Sequence, residues 1–277
     1  MTIDEIIEKA LEEDIGEGDH TSLAVIPKNA ASRAKLIARE NGILAGVEIA
    51  RKVFNKVDSH SKFDIFVDDG DKIKPGDIIF RVKGKPISIL SAERIALNFL
   101  QRLSGIATHT RKLVSQLEGL NTKLLDTRKT TPLLRELEKY AVRMGGGENH
   151  RMGLYDMVMI KDNHIDFAGG IKEAIEATTQ YLRLNNKDLK VEIEVRNFTE
   201  LDEVLKTGGI HRIMLDNFTP ENLKKAINKI NGRFETEASG GITLKNIREY
   251  ALSGVDYISS GAITHQINSL DMSLVAD

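Results

Sequence analysis

The sequence has no cysteine, no excess of either charge and no long hydrophobic run. Without cysteine the chain cannot form disulfides, thiolate metal sites or a cysteine nucleophile, and it is compatible with a reducing cytoplasm. Its 39 basic and 41 acidic side chains give a net charge of -2, which favours neither a nucleic-acid nor a membrane-surface partner. Any site for an anionic ligand must therefore be local.

Membrane and export signals are also missing from the pattern. No apolar run approaches the roughly 18 residues of a membrane span. The N-terminal segment MTIDEIIEKALEED is acidic and amphipathic, unlike a signal or transit peptide. We therefore expect a cytoplasmic protein with no nucleic-acid and no membrane partner. With 277 residues, 41% of them hydrophobic, the chain can form one large domain or two modest ones.

The first third of the chain predicts a helix followed by a small sheet. Apolar residues recur at helical spacing from Thr2 to Glu13, and Gly16 and Gly18 end that pattern. Short β-rich runs follow as far as Leu90. The segment DDGDKIKPGDII has the turns of a biotinyl or lipoyl carrier module, but no lysine lies between methionines in a tight hairpin, so we interpret it as part of a structural sheet. A long helix is expected over 91–119.

Beyond Asn121 the pattern becomes a repeated strand, loop and helix. Thr199, Thr219 and Thr243 are the expected N-caps of three of these helices, with Pro220 at the first helical position. The last strand ends are about 20 to 25 residues apart, which predicts a parallel sheet with right-handed crossovers. Six strands are too few for a complete eight-stranded barrel, so an open, incomplete β/α barrel is predicted. The strand candidates are TKLLDT, MVMI, VEIEV, RIML, ETEAS and DYISS.

Charged residues and glycines follow these strands at the end where barrel enzymes bind substrate. Cations follow the early strands, whereas glycine-rich turns suited to phosphate follow the last two. Glu194 and Asp216 lie between them and suit ribose hydroxyls or Mg²⁺. A single TRK or SGG is often only a solvated loop or a turn, and Glu192 is expected to be structural. The joint placement at successive strand ends nevertheless favours a functional site.

Several strings, taken in order, resemble a known enzyme family. The motifs EEDIGEGDHTS, ERIALNFLQRLSGIAT, DTRKTTP, GGGENHR, MIKDNHI, VEIEV, LDNF, EASGGIT and SSGAITH are similar to those of quinolinate phosphoribosyltransferase, the carboxylating nicotinate-nucleotide pyrophosphorylase. The resemblance covers nearly the whole chain. One departure is the stretch LLRELEKYAVRMGGG that follows TRKTTP, because relatives often carry a glycine soon after the proline. We expect this departure to alter only the entry into the following helix.

The resemblance implies a two-domain type II phosphoribosyltransferase. An N-terminal α/β sandwich would occupy residues 1–105 and an open α/β barrel residues 106–267, with the tail 268–277 packed on the first domain. The implied reaction converts quinolinate and phosphoribosyl pyrophosphate, with Mg²⁺, into nicotinate mononucleotide, pyrophosphate and CO2 for NAD synthesis. The implied assembly is a homodimer, or a larger homo-oligomer, in which the partner's N-terminal domain covers each barrel mouth.

The resemblance also assigns roles residue by residue. Catalytic roles fall to Lys129, Lys161, Glu194 and Asp216, and the two carboxylates would bind ribose and metal. The quinolinate carboxylates would be held by Arg128, His150, Arg151 and Lys161, with Arg94 from the neighbouring subunit. Phosphates would be held by Lys129, Lys161, Ser239, Gly240, Gly241, Ser260 and Gly261, with His265 a weaker candidate.

Three other functions remain open at this point. Lys161 at a strand end could be the Schiff-base lysine of an aldolase. A nicotinate phosphoribosyltransferase, or a relative acting on another aromatic acid, would share the phosphoribosyl machinery and differ in the acid pocket. A sensor or scaffold would bind the ligand without turnover.

Overall fold

The computed structural model describes residues 1–27 and 30–277. The chain groups into two compact units. The first consists of Met1–Arg111, Thr131–Gly146 and Ile263–Asp277, and the second of Lys112–Thr130 and Gly147–Ala262. The first unit is thus assembled from three stretches of chain, because a helix at Arg135–Met144 groups with it. The sequence had suggested a single division after residue 105 with only the tail returning.

Helices begin where the sequence supplies a cap. Thr2 Oγ1 accepts a hydrogen bond from Glu5 N at 3.2 Å, and Glu5 Oε2 accepts one from Thr2 N at 2.7 Å, which forms a capping box at the expected first helix. The helices are α1 (Ile3–Ile15), α2 (His20–Val25), α3 (Val47–Val57), α4 (Pro86–Ser115), α5 (Arg135–Met144), α6 (Asp162–Ala168), α7 (Ile171–Leu184), α8 (Phe198–Thr207), α9 (Pro220–Ile230), α10 (Ile247–Ala251) and α11 (Ala262–His265).

Two of the expected caps are wrong. Helix α8 is capped by Asn197, whose Oδ1 accepts from Glu200 N at 2.9 Å, and not by Thr199. Helix α10 begins only at Ile247, because Asn246 Oδ1 accepts from Thr243 N at 2.7 Å and holds Thr243 in the preceding turn. The third predicted cap is confirmed: Thr219 is the N-cap of helix α9, and Pro220 is its first residue. None of the helices in the described part of the chain has the length and apolarity needed to cross a bilayer.

The strands form separate antiparallel and parallel sheets. The strands are β1 (Ser32–Ala38), β2 (Gly42–Ile43), β3 (Lys62–Ile65), β4 (Lys72–Ile73), β5 (Ile78–Gly84), β6 (Lys123–Leu125), β7 (Val158–Ile160), β8 (Val191–Val195), β9 (Arg212–Asp216), β10 (Glu235–Ser239), β11 (Tyr257–Ser259) and β12 (Met272–Ala276). In the first unit a four-stranded sheet has the order β12-β1-β5-β3, and β2 pairs with β4.

The first unit packs one face of its sheet against helix α3. Side chains of β1 alternate between buried and more exposed, as a strand with one covered face requires. Phe54 of α3 meets Phe63 and Phe80 of the sheet edge to face, with ring centroids 5.5 and 6.2 Å away. The C-terminal strand β12 pairs antiparallel with β1, from Ala34 opposite Ala276 to Ala38 opposite Met272.

A tight turn leads into helix α5. Leu134 N donates to Thr131 O at 3.1 Å, with Pro132 and Leu133 between them, and Leu133 has a φ of +69°. Proline followed by a residue of positive φ is the signature of a type II turn, which normally places glycine at that second position. The departure noted in the sequence therefore puts a leucine in the left-handed region.

The second unit contains a six-stranded parallel sheet of order β6-β11-β10-β9-β8-β7. All six strands predicted from the sequence are present, and the open, incomplete β/α barrel is confirmed. Every residue of β8 is buried, as is typical of parallel strands covered on both faces. Because the strands are parallel, their carboxyl ends lie along one edge of the sheet, where their following loops meet.

Candidate active site

The carboxyl edge of the parallel sheet carries the site residues predicted for the second unit. Each strand contributes the side chains that follow its last residues. After β6 come Arg128 and Lys129; Lys161 follows β7; Glu194 lies in β8 and Asp216 ends β9; Ser239, Gly240 and Gly241 follow from β10; Ser260 and Gly261 follow β11. His150 and Arg151 lie in the loop before β7.

Asp126 organises the first loops of this edge. It directly follows β6 and is fully buried. Its Oδ1 accepts from His150 N at 2.8 Å and its Oδ2 from Asn149 Nδ2 at 2.6 Å. The carboxylate thereby fixes the NHR loop beside the TRK loop. Asp126 is not among the residues predicted from the sequence, although a charged residue at the end of an apolar strand is a signal for it.

Arg128 and Arg151 face the same region. Burial lowers the pKa of Arg151, and the positive charge of Arg128 lowers it further. Arg151 is held in place by its Nη1, which donates to Met157 O at 3.2 Å. Arg128 itself is exposed. Two guanidinium groups that repel each other at this edge of the sheet suit a ligand with more than one negative charge.

Lys161 and Glu194 form an ion pair across neighbouring strands. Lys161 Nζ donates to Glu194 Oε2, and the Lys161 side chain is 42% exposed whereas that of Glu194 is 11% exposed. The lysine main chain is fixed by the next helix, because its N donates to His164 Nδ1 at 2.9 Å. The carboxylate therefore orients an ammonium group that remains accessible to a ligand.

Asp216 is held at the end of β9 by its neighbours. Its Oδ1 accepts from Ser239 Oγ, and its Oδ2 accepts from Asn217 Nδ2 at 2.6 Å. Asn217 has a φ of +56°, and a side chain at Gly240 would place its Cβ 2.1 Å from Asn217 Oδ1. Gly240 is therefore required by the close approach of the two loops, in addition to its predicted phosphate role.

The turn formed by Ser239, Gly240 and Gly241 leaves open space next to the Cα of Gly241. Gly241 has a φ of +62°, and a Cβ there would meet no atom within 4 Å. Asn246 Nδ2 donates to Gly241 O at 3.1 Å and holds the turn. Ser260 is buried, and its Oγ donates to Ile242 O at 3.4 Å. The hydroxyl of Ser260 thus supports the turn, which leaves main-chain groups to contact a phosphate.

The structure directs the imidazole of His150 into the interior of the second unit. Nε2 lies 2.9 Å from Glu192 Oε2 and 3.3 Å from Glu237 Oε2, and both glutamates are fully buried. Arg212 Nη1 donates to the same Glu237 oxygen at 3.1 Å. The imidazole, which the resemblance placed against the quinolinate carboxylates, instead contacts protein carboxylates. Glu192, which the sequence predicts to be structural, lies in this buried cluster.

The charged groups of this cluster shift the pKa values of one another. Burial alone would lower the pKa of His150, but the two carboxylates outweigh it and raise the pKa. Arg151 N donates to His150 Nδ1 at 2.7 Å. Burial and the charge of Glu237 raise the pKa of Glu192 to about 7. Burial opposes ionisation of Glu237, but His150 and its other partners lower the pKa of that carboxyl.

Two predicted site residues belong to the first unit. Arg94 lies on α4 and His265 ends α11, and both are exposed. Arg94 remains a predicted contribution from a neighbouring subunit. The residues missed from the sequence are Asp126, Glu237, Arg212 and Asn246. Two of these had a signal in the sequence: Asp126 is a charged residue at the end of an apolar strand, and Glu237 is a carboxylate in the middle of a predicted strand.

Comparison with known proteins places this geometry in a family. The N-terminal domain of quinolinate phosphoribosyl transferase matches residues 19–104, and the C-terminal domain matches residues 106–275. The chain belongs to the quinolinate phosphoribosyl transferase family. Quinolinate phosphoribosyltransferase (decarboxylating) 1b of Nicotiana tabacum is 46% identical over 287 residues, covering 98% of this chain and 81% of the relative. The probable nicotinate-nucleotide pyrophosphorylase (carboxylating) of Bacillus subtilis is 42% identical over 262 residues, covering 95% and 89%.

Solved structures of the quinolinate phosphoribosyl transferase family agree with the fold. NadC from Streptococcus pyogenes aligns with a TM-score of 0.94 at 40% identity and covers 99% of this chain and 97% of its own. The nicotinate-nucleotide pyrophosphorylase from Francisella tularensis gives 0.93 at 41%, covering 99% and 96%. The family resemblance and the fold class inferred from the sequence are confirmed.

Proposed function

We propose that this chain transfers the phosphoribosyl group of phosphoribosyl pyrophosphate to quinolinate and releases pyrophosphate and CO2, giving nicotinate mononucleotide. The observation that carries this proposal is the grouping of cations at the carboxyl edge of the parallel sheet, where Arg128 and Lys129 follow β6, Lys161 follows β7 and Arg151 lies in the intervening loop. Like charges gathered at one edge repel each other, and a dicarboxylate bound among them would replace this repulsion by attraction. Planar guanidinium groups suit carboxylates in particular.

The chain's own residues supply binding and charge for this reaction. The pyridine nitrogen is the nucleophile: the N–C1′ bond forms while the C1′–O bond breaks, and the electron pair leaves with pyrophosphate. No general base is needed. Loss of CO2 from the carbon beside the nitrogen then leaves an electron pair that takes up a proton. Lys161, oriented by Glu194, and Lys129 are the cations placed to stabilise these charges.

We propose Glu194 and Asp216 as the residues that hold Mg²⁺. Both offer carboxylate oxygens, which are the ligands Mg²⁺ prefers. Three of these oxygens already accept hydrogen bonds, from Lys161, Ser239 and Asn217. This arrangement fits an ion that keeps its water molecules and is shared with substrate phosphates. When bound, Mg²⁺ would neutralise charge on the pyrophosphate leaving group.

The proposed assembly is a cytoplasmic homodimer with shared sites, in which Arg94 reaches the partner's substrate. Support comes from the exposed position of Arg94 on α4. Some relatives are named as mitochondrial or chloroplastic proteins, so members of the family that share the reaction are found in different compartments.

A single assay tests the reaction. Protein, Mg²⁺ and phosphoribosyl pyrophosphate are mixed with quinolinate labelled in the 2-carboxyl group, and CO2 and nicotinate mononucleotide are measured together. Equal amounts of both products are expected, with none from nicotinate and none without Mg²⁺. Product from nicotinate would instead identify a nicotinate phosphoribosyltransferase. Binding without turnover would indicate a sensor, and borohydride trapping of a carbonyl compound on Lys161 would indicate an aldolase.

A further inference from the structure

A buried chain of charged contacts lies behind the quinolinate side of the proposed site. It begins at Arg212 on β9, whose guanidinium carbon lies 4.0 Å from the ring centroid of Tyr257. Its Nη1 donates to Glu237 Oε2 at 3.1 Å and lies 3.9 Å from Glu192 Oε2. Stacking on the ring and pairing with the carboxylates fix the guanidinium in the sheet interior.

The chain continues to His150. Glu192 and Glu237 come from different strands, β8 and β10, yet both approach Nε2 of the same imidazole. Removing one charge from such a buried cluster is costly, because the opposite charge that it faces would be left uncompensated in the interior. The imidazole side chain is only 4% exposed, so its orientation is set by these carboxylates and not by solvent.

The chain ends on the main chain of Arg151. His150 Nδ1 accepts the amide hydrogen of Arg151 at 2.7 Å, while His150 N donates to Asp126 Oδ1 at 2.8 Å. The two peptides that flank the His150 Cα are therefore each fixed by one hydrogen bond. Arg151 carries the guanidinium that faces the same region as Arg128 at the proposed anion site.

We propose that Glu192, Glu237 and Arg212 are positioning residues that act through His150 on the main chain of Arg151 and so set the affinity for the dicarboxylate substrate. This inference rests on the proposed function. His150 is itself a positioning residue, since both ring nitrogens face protein atoms. Pre-ordering a guanidinium lowers the entropy lost when the ligand binds, and thus acts on binding more than on turnover.

A metal ion is the competing occupant of this cluster. His150, Glu192 and Glu237 offer ligand atoms within 4.8 Å of one another. However, a guanidinium nitrogen 3.1 Å from one of those carboxylate oxygens opposes a cation there. The geometry therefore favours a charge network over a metal centre.

The first test compares Glu237→Gln with Glu235→Gln. Both glutamates pair with Arg212, but Glu235 is partly exposed and does not contact His150. Glu237→Gln should raise the KM for quinolinate by about tenfold, the loss typical of one hydrogen bond to a charged group, with the KM for phosphoribosyl pyrophosphate and kcat changed less than about threefold. Glu235→Gln should change none of these. Parallel changes in both KM values, or equal effects of the two variants, would overturn the proposal.

A second pair of variants tests the link through Nδ1. In His150→Asn the side-chain oxygen reaches about as far as Nδ1, whereas in His150→Gln the amide reaches about as far as Nε2. The His150→Asn variant should therefore bind quinolinate more tightly than the His150→Gln variant does. The reverse order would show that Nε2 contacts matter and Nδ1 does not, which would overturn the proposed route.

A readout without substrate separates this inference from the proposed function. Hydrogen exchange of the Arg151 amide should be faster in Glu237→Gln than in the wild type and unchanged in Glu235→Gln. Unchanged exchange in both variants refutes the positioning chain even if the enzyme is active, and faster exchange supports it even if quinolinate is not the substrate. Metal analysis of the purified chain should find no stoichiometric ion that Glu237→Gln removes, and finding one would refute the network.

Discussion

The turn before helix α5 gives a stability prediction that can be worked from the structure. Leu133 has a φ of +69°, which costs a residue with a Cβ about 1 to 2 kcal/mol. Its side chain is 66% exposed, so truncation loses about 0.7 kcal/mol of burial. In Leu133→Gly the strain is removed, but the unfolded chain gains freedom worth about 0.4 to 1 kcal/mol. These terms nearly cancel, so Leu133→Gly should be about as stable as the wild type.

The informative comparison is between glycine and alanine at this position. Leu133→Ala loses the same burial but keeps the Cβ and its strain. We therefore expect Leu133→Gly to exceed Leu133→Ala in stability by about 0.5 to 1 kcal/mol, or about 1 to 4 °C in Tm for a chain of this size. Leu133→Asn should fall between them, since asparagine tolerates the left-handed region. Circular dichroism melts of the variants measure this order, and an alanine variant as stable as glycine would refute the strain.

Three further predictions concern the site. Arg151→Ala should raise the KM for quinolinate by at least tenfold and that for phosphoribosyl pyrophosphate far less, as steady-state kinetics will show; equal losses would argue against a carboxylate role. Inactive Arg94→Ala subunits mixed with inactive Lys161→Ala subunits should regain activity in verified mixed dimers, and no recovery would exclude a shared site. The pKa of Glu192 is raised from 4.5 to about 7, so its contribution to stability is present at low pH and lost as pH rises through that window. As the pH rises from 4.5 to 7, the free energy of unfolding of Glu192→Gln should therefore increase by up to about 3 kcal/mol relative to that of the wild type. Denaturant titrations measure this difference, and a difference that does not change with pH would contradict the shifted pKa.

Much of the second unit could be predicted because its signals are local. Most of the parallel strands are short runs rich in apolar residues and followed by a turn, and the regular alternation of strand and helix indicated the polar strand ETEAS between them. The carboxyl ends of the strands indicated where Lys161, Glu194 and Asp216 would lie. The first residue of each helix was harder to predict. Asn197 and Thr199 can both act as N-caps, and only the backbone conformation decides which of them caps helix α8.

The environment of His150 could not be read from the sequence. Its partners, Glu192 and Glu237, come from strands that are separated along the chain and become neighbours of the loop only when the sheet forms. Motif similarity shows that a histidine is present, but not which way its ring points. The division of the chain was also hidden, because helix α5 returns to the first unit after the TRK loop.

The pairing of β12 with β1 affects the order in which the two units can be finished during synthesis. The parallel sheet has its last strand once Ser259 has been made, whereas the four-stranded sheet still lacks the edge strand Met272–Ala276. The unit that contains the beginning of the chain is thus the later one to be completed. Until then one side of β1 presents unpaired main-chain groups, and a nascent chain at that stage carries an open edge at which another strand could add.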